Sequence, residues 1–169
     1  MTTPPLLTAD CANCTALCCM ALSFDAGEDF AIDKPACAAC PNLNADFTCS
    51  IHDRLETQGF SGCVRYDCLG AGQRVTNEVF KGRDWRNTPA LMAPMVEAFA
   101  AMRSVHRNLE LLLAAQTLTL PAPIKDILRD LLDTHLPADG WTADTLAAYA
   151  AAGHDQRVAA FLRDLRAYV

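Results

Sequence analysis

Nine cysteines, the chain's only thiols, fall between residues 11 and 68, at positions 11, 14, 18, 19, 37, 40, 49, 63 and 68. Cys11, Cys14 and Cys18 follow an i, i+3, i+7 spacing, which places three sulfurs on one face if the stretch is helical. Cys19 is then turned about 100° away and is free to serve a different metal, or to bridge if the backbone is irregular. Cys37-x2-Cys40-Pro41 has the form of a chelate loop, in which two intervening residues let both thiolates reach one ion. Cys49, Cys63 and Cys68 close the set. Zinc takes four thiolates in a tetrahedron, and a [4Fe–4S] cluster also takes four. Eight cysteines therefore complete two such sites and leave one thiol over. Copper(I) is the alternative metal, because soft thiolates in Cys-x2-Cys and Cys-Cys spacing suit it. Free cysteine is also a good core residue. Nine in so short a stretch, with a dyad and two Cys-x2-Cys pairs, favour metal over simple burial.

The pieces CANCTALCC, CPNL, CSIHD and GFSGCVRYDC carry a further signal. Together they resemble the CxxCxxCC (YkgJ-like) family of zinc- or iron-chelating domains. Within it, the likeness is closest to the N-terminal region of some bacterial pentapeptide-repeat proteins, through GAGQ at 70–73, GRDWR at 82–86 and the helix containing MRSVHRNLELL. The resemblance covers residues 11–117 most clearly. It implies Cys11, Cys14, Cys18, Cys19, Cys40, Cys49, Cys63 and Cys68 as metal ligands and leaves Cys37 as the spare thiol. The chain departs from the pattern in the longer Cys14-x3-Cys18 spacing and in His52, which replaces a tyrosine and so argues against His52 as an essential ligand. No pentapeptide repeat is present, and the resemblance implies metal binding far more than any reaction.

Other residues weigh less. His106 lies on an apolar helical stripe and is expected as a hydrogen-bonded core histidine, with a ligand role as the minority alternative. Met92, Met95 and Met102 read as core. Tyr66-Asp67 is expected to pack and cap, and Trp85 to anchor a turn on the cysteine-rich part. His135 and His154 fall at helix ends as solvated residues. No H-E-x-x-H, P-loop, G-x-G-x-x-G or G-x-S-x-G occurs, so no catalytic residue is assigned. An enzyme or redox sensor with an open coordination position stays as an alternative to a structural, electron-transfer or accessory metalloprotein, as does a copper(I) buffer.

Elements must hold these thiols. Residues 1–70 carry nine acids against Lys34, Arg54 and Arg65, whereas residues 71–169 balance eleven acids with eleven bases. That imbalance argues against nucleic acid as a partner. Arg74, Lys81, Arg83 and Arg86 form a basic stretch, expected to be solvated rather than turned toward the thiolates. The N-terminus lacks a secretory signal and no apolar run spans a bilayer. The expectation is a cytoplasmic protein with no membrane partner, in a compartment unfavourable to disulfides, and with a protein partner left open. Residues 1–10 read as a flexible N-terminus, 11–70 as a cysteine-rich metal-binding module, 71–87 as a connecting segment and 88–169 as a helical unit. The module is too poor in apolar residues to fold alone, and bound metal would supply the missing stability. FTCSIH alternates like a short strand. Beyond Thr88-Pro89, apolar residues recur at helical spacing to about Gln116. A second helix runs between the Pro121–Pro123 break and the Pro137–Gly140 turn, a third follows Thr142 to about Ala151, and a last one follows Gly153. The fold class is mainly α, an irregular metal-binding module followed by a small antiparallel helical unit.

Overall fold

The computed structural model describes residues 5–168. The expected flexible N-terminus falls partly on residues 1–4, outside the described residues. The fold is mainly α, with helices α1 (Leu17–Ala21), α2 (Ser61–Arg65), α3 (Ala71–Arg74), α4 (Met92–Ala115), α5 (Ala122–His135), α6 (Ala143–Ala151) and α7 (His154–Asp164). A π-helical turn, Val75–Val79, prolongs α3, and a 3-10 turn, Leu165–Tyr168, follows α7.

The long helix α4 is the axis of the molecule. A 3-10 turn, Pro89–Leu91, leads into it. Pro94 stands in its first turn, where the missing N–H would have had no intrahelical acceptor, so the ring leaves the helix intact. Met95, Met102, Val105, Leu109 and Leu112 are fully buried along it. It packs against α5, α6 and α7, and against α1 and α3. Thr142 caps α6 through a reciprocal pair of bonds with Thr145. The turn before it closes with Gly140 donating to the Pro137 carbonyl at 3.0 Å, and Gly140 takes the left-handed backbone (φ 74°) that glycine adopts without strain.

One apolar core joins both parts of the chain. Leu17 and Met20 of α1, Ala71 and Val75, and Phe80 and Trp85 belong to the same buried cluster as the α4–α7 residues. Burying a side chain such as Leu17 or Met20 contributes about 1.5–3 kcal/mol. The cysteine-rich part therefore draws burial from α4 as well as from any metal. The segment expected to be a connection, 71–87, supplies much of this join. The Trp85 indole N–H donates to the Thr15 carbonyl at 2.8 Å, and its ring meets Phe47 edge-on.

Two expectations need correction. FTCSIH is not a strand: only Cys49 pairs, in an isolated bridge with Leu43, because Phe47 turns through a left-handed conformation (φ 67°). His135 is not solvated but completely buried, donating to the Leu131 carbonyl and accepting from the Tyr149 hydroxyl at 2.9 Å. Its position at the end of α5 faces the core, where α6 covers it.

Candidate metal centre

Cys11, Cys14 and Cys18 do not share one helix. A 3-10 turn covers Cys11–Asn13, and the Cys14 N–H bonds back to the Cys11 carbonyl at 3.4 Å. Ala16 then turns left-handed (φ 54°) before α1 begins. The extra residue in Cys14-x3-Cys18 is absorbed by that turn. Thr15 holds it in place, its N–H donating to the Thr76 hydroxyl at 3.2 Å. Cys18 and Cys19 both lie in α1, with sulfurs 3.9 Å apart.

Cys68 reaches this region from the far side of the module. It precedes α3, whose Gly72 lies beneath both Cys14 and Cys68. A Cβ at Gly72 would stand 2.7 Å from the Cys14 sulfur and 3.9 Å from that of Cys68. Cys40, Cys49 and Cys63 gather elsewhere. The Cys40 N–H donates to the Cys19 carbonyl at 3.0 Å. The Leu43 N–H donates to the Cys40 carbonyl at 3.0 Å, and Leu43 bridges to Cys49. Cys63 sits in α2. Cys11 and Cys37 are exposed, and the other seven thiols are partly buried.

The thiols also act on one another through burial and charge. Burial raises the Cys14 thiol to about 11, and the charge of Cys68 adds to that rise. Burial likewise raises Cys11, with Cys68 and then Cys19 contributing. Cys18 rises because it keeps the proton it shares with Cys19, with Cys14 and Cys11 adding smaller effects. Burial raises Cys63 to about 11, reinforced by Cys19, Cys40 and Cys49. Cys19 moves the other way. The Cys18 S–H stabilises its thiolate, and the Lys34 ammonium helps.

Lys34 is the residue that cysteine spacing could not reveal. It is buried, and its ammonium donates to the carbonyls of Met20 (3.3 Å), Pro35 (3.1 Å) and Ala38 (2.6 Å). Desolvation lowers its pKa, while the charges of Cys40, Cys19, Cys37 and Cys18 oppose that loss. No carboxylate pairs with it among the described residues. A buried cation needs a compensating anion, and thiolates supply one. The only sequence signal was that Lys34 is the sole lysine in the acidic first 70 residues.

The basic stretch does not serve this purpose. Arg74 is mostly buried rather than solvated, paired with Glu78 at 2.6 Å and 3.2 Å from the His106 Nε2. Arg86 donates to the Asn44 carbonyl and stacks over Phe47 and Trp85. His106 is completely buried, with Nδ1 on the Leu69 carbonyl and Nε2 beside Arg74, so both ring nitrogens have protein partners. His52 is exposed.

Among the described residues, no three or more His, Cys, Asp or Glu side chains are drawn together closely enough to hold an ion as they stand. The thiols are neighbours rather than a finished tetrahedron. Three features fit a thiolate-bound metal. Gly72 lets the Cys14 and Cys68 sulfurs pack close to its backbone, where a Cβ would stand 2.7 Å from the Cys14 sulfur. Lys34 brings to the thiols a buried ammonium that no carboxylate pairs with among the described residues. The Tyr66 hydroxyl is buried without a partner among the described residues, with the Arg103 guanidinium over its ring.

Comparison with known proteins adds one relative. The chain is 42% identical over 123 residues to the uncharacterized protein YybG of Bacillus subtilis (strain 168). The match takes in 73% of this chain and 44% of YybG, so the chain spans less than half the length of this curated relative. No protein-family model matches the chain, and no solved structure matches it. Among the described residues, no helix is long and apolar enough to cross a membrane.

Proposed function

We propose that this chain is a cytoplasmic metalloprotein of the CxxCxxCC type, in which the thiolates of Cys11, Cys14, Cys18, Cys19, Cys40, Cys49, Cys63 and Cys68 hold zinc, a [4Fe–4S] cluster or one of each. The observation that carries this reading is the convergence of these cysteines from both ends of the 58-residue stretch they span. Cys14 meets Cys68 over Gly72, and Cys19 meets Cys40 through a backbone bond. The close packing of sulfur on Gly72 and the buried Lys34 support it. Binding of an ion would add to folding stability. Zinc would supply a structural anchor, and a cluster would supply one-electron chemistry. The role that follows is structural, electron-transfer or accessory, with a protein as the partner rather than nucleic acid.

Elemental analysis and an absorption spectrum of protein purified without oxygen test the reading. The expected result is either about four or more iron atoms per chain with broad absorption near ~400 nm, or one to two zinc ions, roughly, and no colour. Several copper ions per chain would replace it with a copper(I) buffer. Protein free of metal, and unable to take up any, would overturn it.

A further inference from the structure

A cavity of about 480 Å³ opens where three separate parts of the chain meet. These are the lead-in at Pro5 and Leu6, α3 with its π-helical turn, and the turn that follows α5. Its size falls within the roughly 300–1,000 Å³ of small-molecule sites. The rim is tied down on both sides. Gln73 fastens the lead-in, its Nε2 donating to the Thr8 carbonyl at 2.8 Å and its Oε1 accepting from the Asp10 N–H at 3.2 Å. Gly70 lets the lead-in lie against it, since a Cβ there would stand 2.6 Å from the Leu6 carbonyl oxygen. On the other side Glu78 accepts the Trp141 N–H, and a Cβ at Gly140 would stand 2.8 Å from the same carboxylate oxygen.

The polar groups of the lining converge. Arg74 Nε donates to Glu78 Oε2 at 2.6 Å, and its Nη1 donates to His106 Nε2 at 3.2 Å. A guanidinium can only donate, so this His106 nitrogen is an acceptor and the ring is neutral. Arg74 Nη2 has no hydrogen-bond partner among the described residues. Glu78 accepts one bond at each oxygen, whereas a carboxylate has about four lone-pair sites. Neither side chain is sealed off, with 12% of Arg74 and 29% of Glu78 exposed. An open donor thus stands beside an open acceptor. Arg74 and Glu78 are the only ionised side chains of the lining among the described residues, and their charges cancel. Leu6, Leu136 and Pro137 supply an apolar wall.

We propose that this cavity binds a free α-amino acid with an apolar side chain. Its carboxylate would meet Arg74 Nη2, its ammonium Glu78, and its side chain Leu136 and Pro137. Burying a net charge without a partner is costly, so a lining whose charges cancel selects a ligand whose charges also cancel. A carboxylate alone would face Glu78 uncompensated, and an amine alone would face Arg74. No cysteine lines the cavity, so the proposal stands apart from metal binding.

L-Leucine is the probe. The full chain is titrated with it by calorimetry and by amide shifts in two-dimensional NMR. Saturable binding is expected, with shifts at residues 70–78 and 136–141. Isocaproate, which lacks the amine, and isoamylamine, which lacks the carboxylate, should each bind about tenfold or more weakly, since each loses a charge-assisted bond. Ala138 stands exposed at the lip of the cavity. Ala138→Phe should fill the space and abolish leucine binding, while far-UV circular dichroism keeps the parent's helical content. The comparison of the three ligands on the parent decides the matter even if that variant does not fold. The proposal is overturned if leucine shows no saturable binding, if isocaproate or isoamylamine binds as tightly as leucine, or if a folded Ala138→Phe binds as the parent does.

Discussion

At Gly72 the missing side chain makes room for sulfur. Alanine is the better helix former by about 1 kcal/mol, so propensity alone predicts that Gly72→Ala stabilises α3. The packing predicts the reverse, because the new Cβ would lie 2.7 Å from the Cys14 sulfur. Cysteine has a single side-chain torsion, so relief means swinging that sulfur away from Cys68. Gly72→Ala is expected to lose metal from the site containing Cys14 and to lower the thermal midpoint of the purified protein, while far-UV circular dichroism keeps its helical content. Parental metal content in this variant would show that Cys14 does not bind where Gly72 places it. Lys34 is a matching case of charge. It keeps its ammonium in a desolvated place by carbonyl bonds and by the thiols around it, so its role depends on folded neighbours rather than on spacing.

At the scale of elements, the short helices depend on the segment expected merely to connect. Trp85 fastens the turn before α1 by its bond to Thr15, while Thr15 also bonds Thr76 of the π-helical turn. Trp85→Phe removes the indole N–H and leaves a buried carbonyl without its donor, a loss of about 1–3 kcal/mol. Denaturant unfolding should register that loss, and amide exchange should quicken at residues 14–21 ahead of α4. Uniform exchange across both regions would mean that Trp85 does not hold the turn. The same contrast explains what the sequence made legible. Helices α4 to α7 were readable because each runs nine residues or more with apolar residues at helical spacing and a proline, threonine or glycine at its boundary. Helices α1, α2 and α3 span four or five residues, too few to show a period; α1 and α3 are held by burying Leu17, Met20 and Ala71 in the core they share with α4, whereas α2 has no buried residue. The cysteine set was visible by residue type, but its grouping was not, since Ala16 breaks the helix that the spacing suggested and Cys68 arrives from 54 positions beyond Cys14.

Over the whole molecule, one core serves both the thiols and the helices, so its polar members affect the two together. His106 is the clearest of these. Its Nδ1 donates to the carbonyl of Leu69, next to Cys68, and its Nε2 accepts from Arg74. A second proton would remove that acceptor and set two cations face to face. Burial, the first cause, holds its pKa down to about 4, and Arg74 adds to the effect against the Leu69 bond and Glu78. Burial also lowers His135 and His154. Unfolded histidines take up protons near pH ~6.5, so below that value the unfolded chain binds protons that the folded one refuses. Stability is therefore complete above about 6.5 and declines as the pH falls toward the folded value near 4. For His106 alone the full decline is on the order of 3 kcal/mol. His106→Asn keeps a donor for Leu69 but cannot titrate. It should be less stable than the parent at neutral pH, having lost the partner of Arg74, yet its stability should fall less steeply as the pH drops from about 6.5 to 4.5. Thiolate protonation acts on both proteins, so the difference between their denaturant-unfolding curves isolates the histidine. Parallel pH profiles would mean that His106 is not held neutral by the core, and that the link it makes between α4 and the Cys68 turn does not weaken with acid.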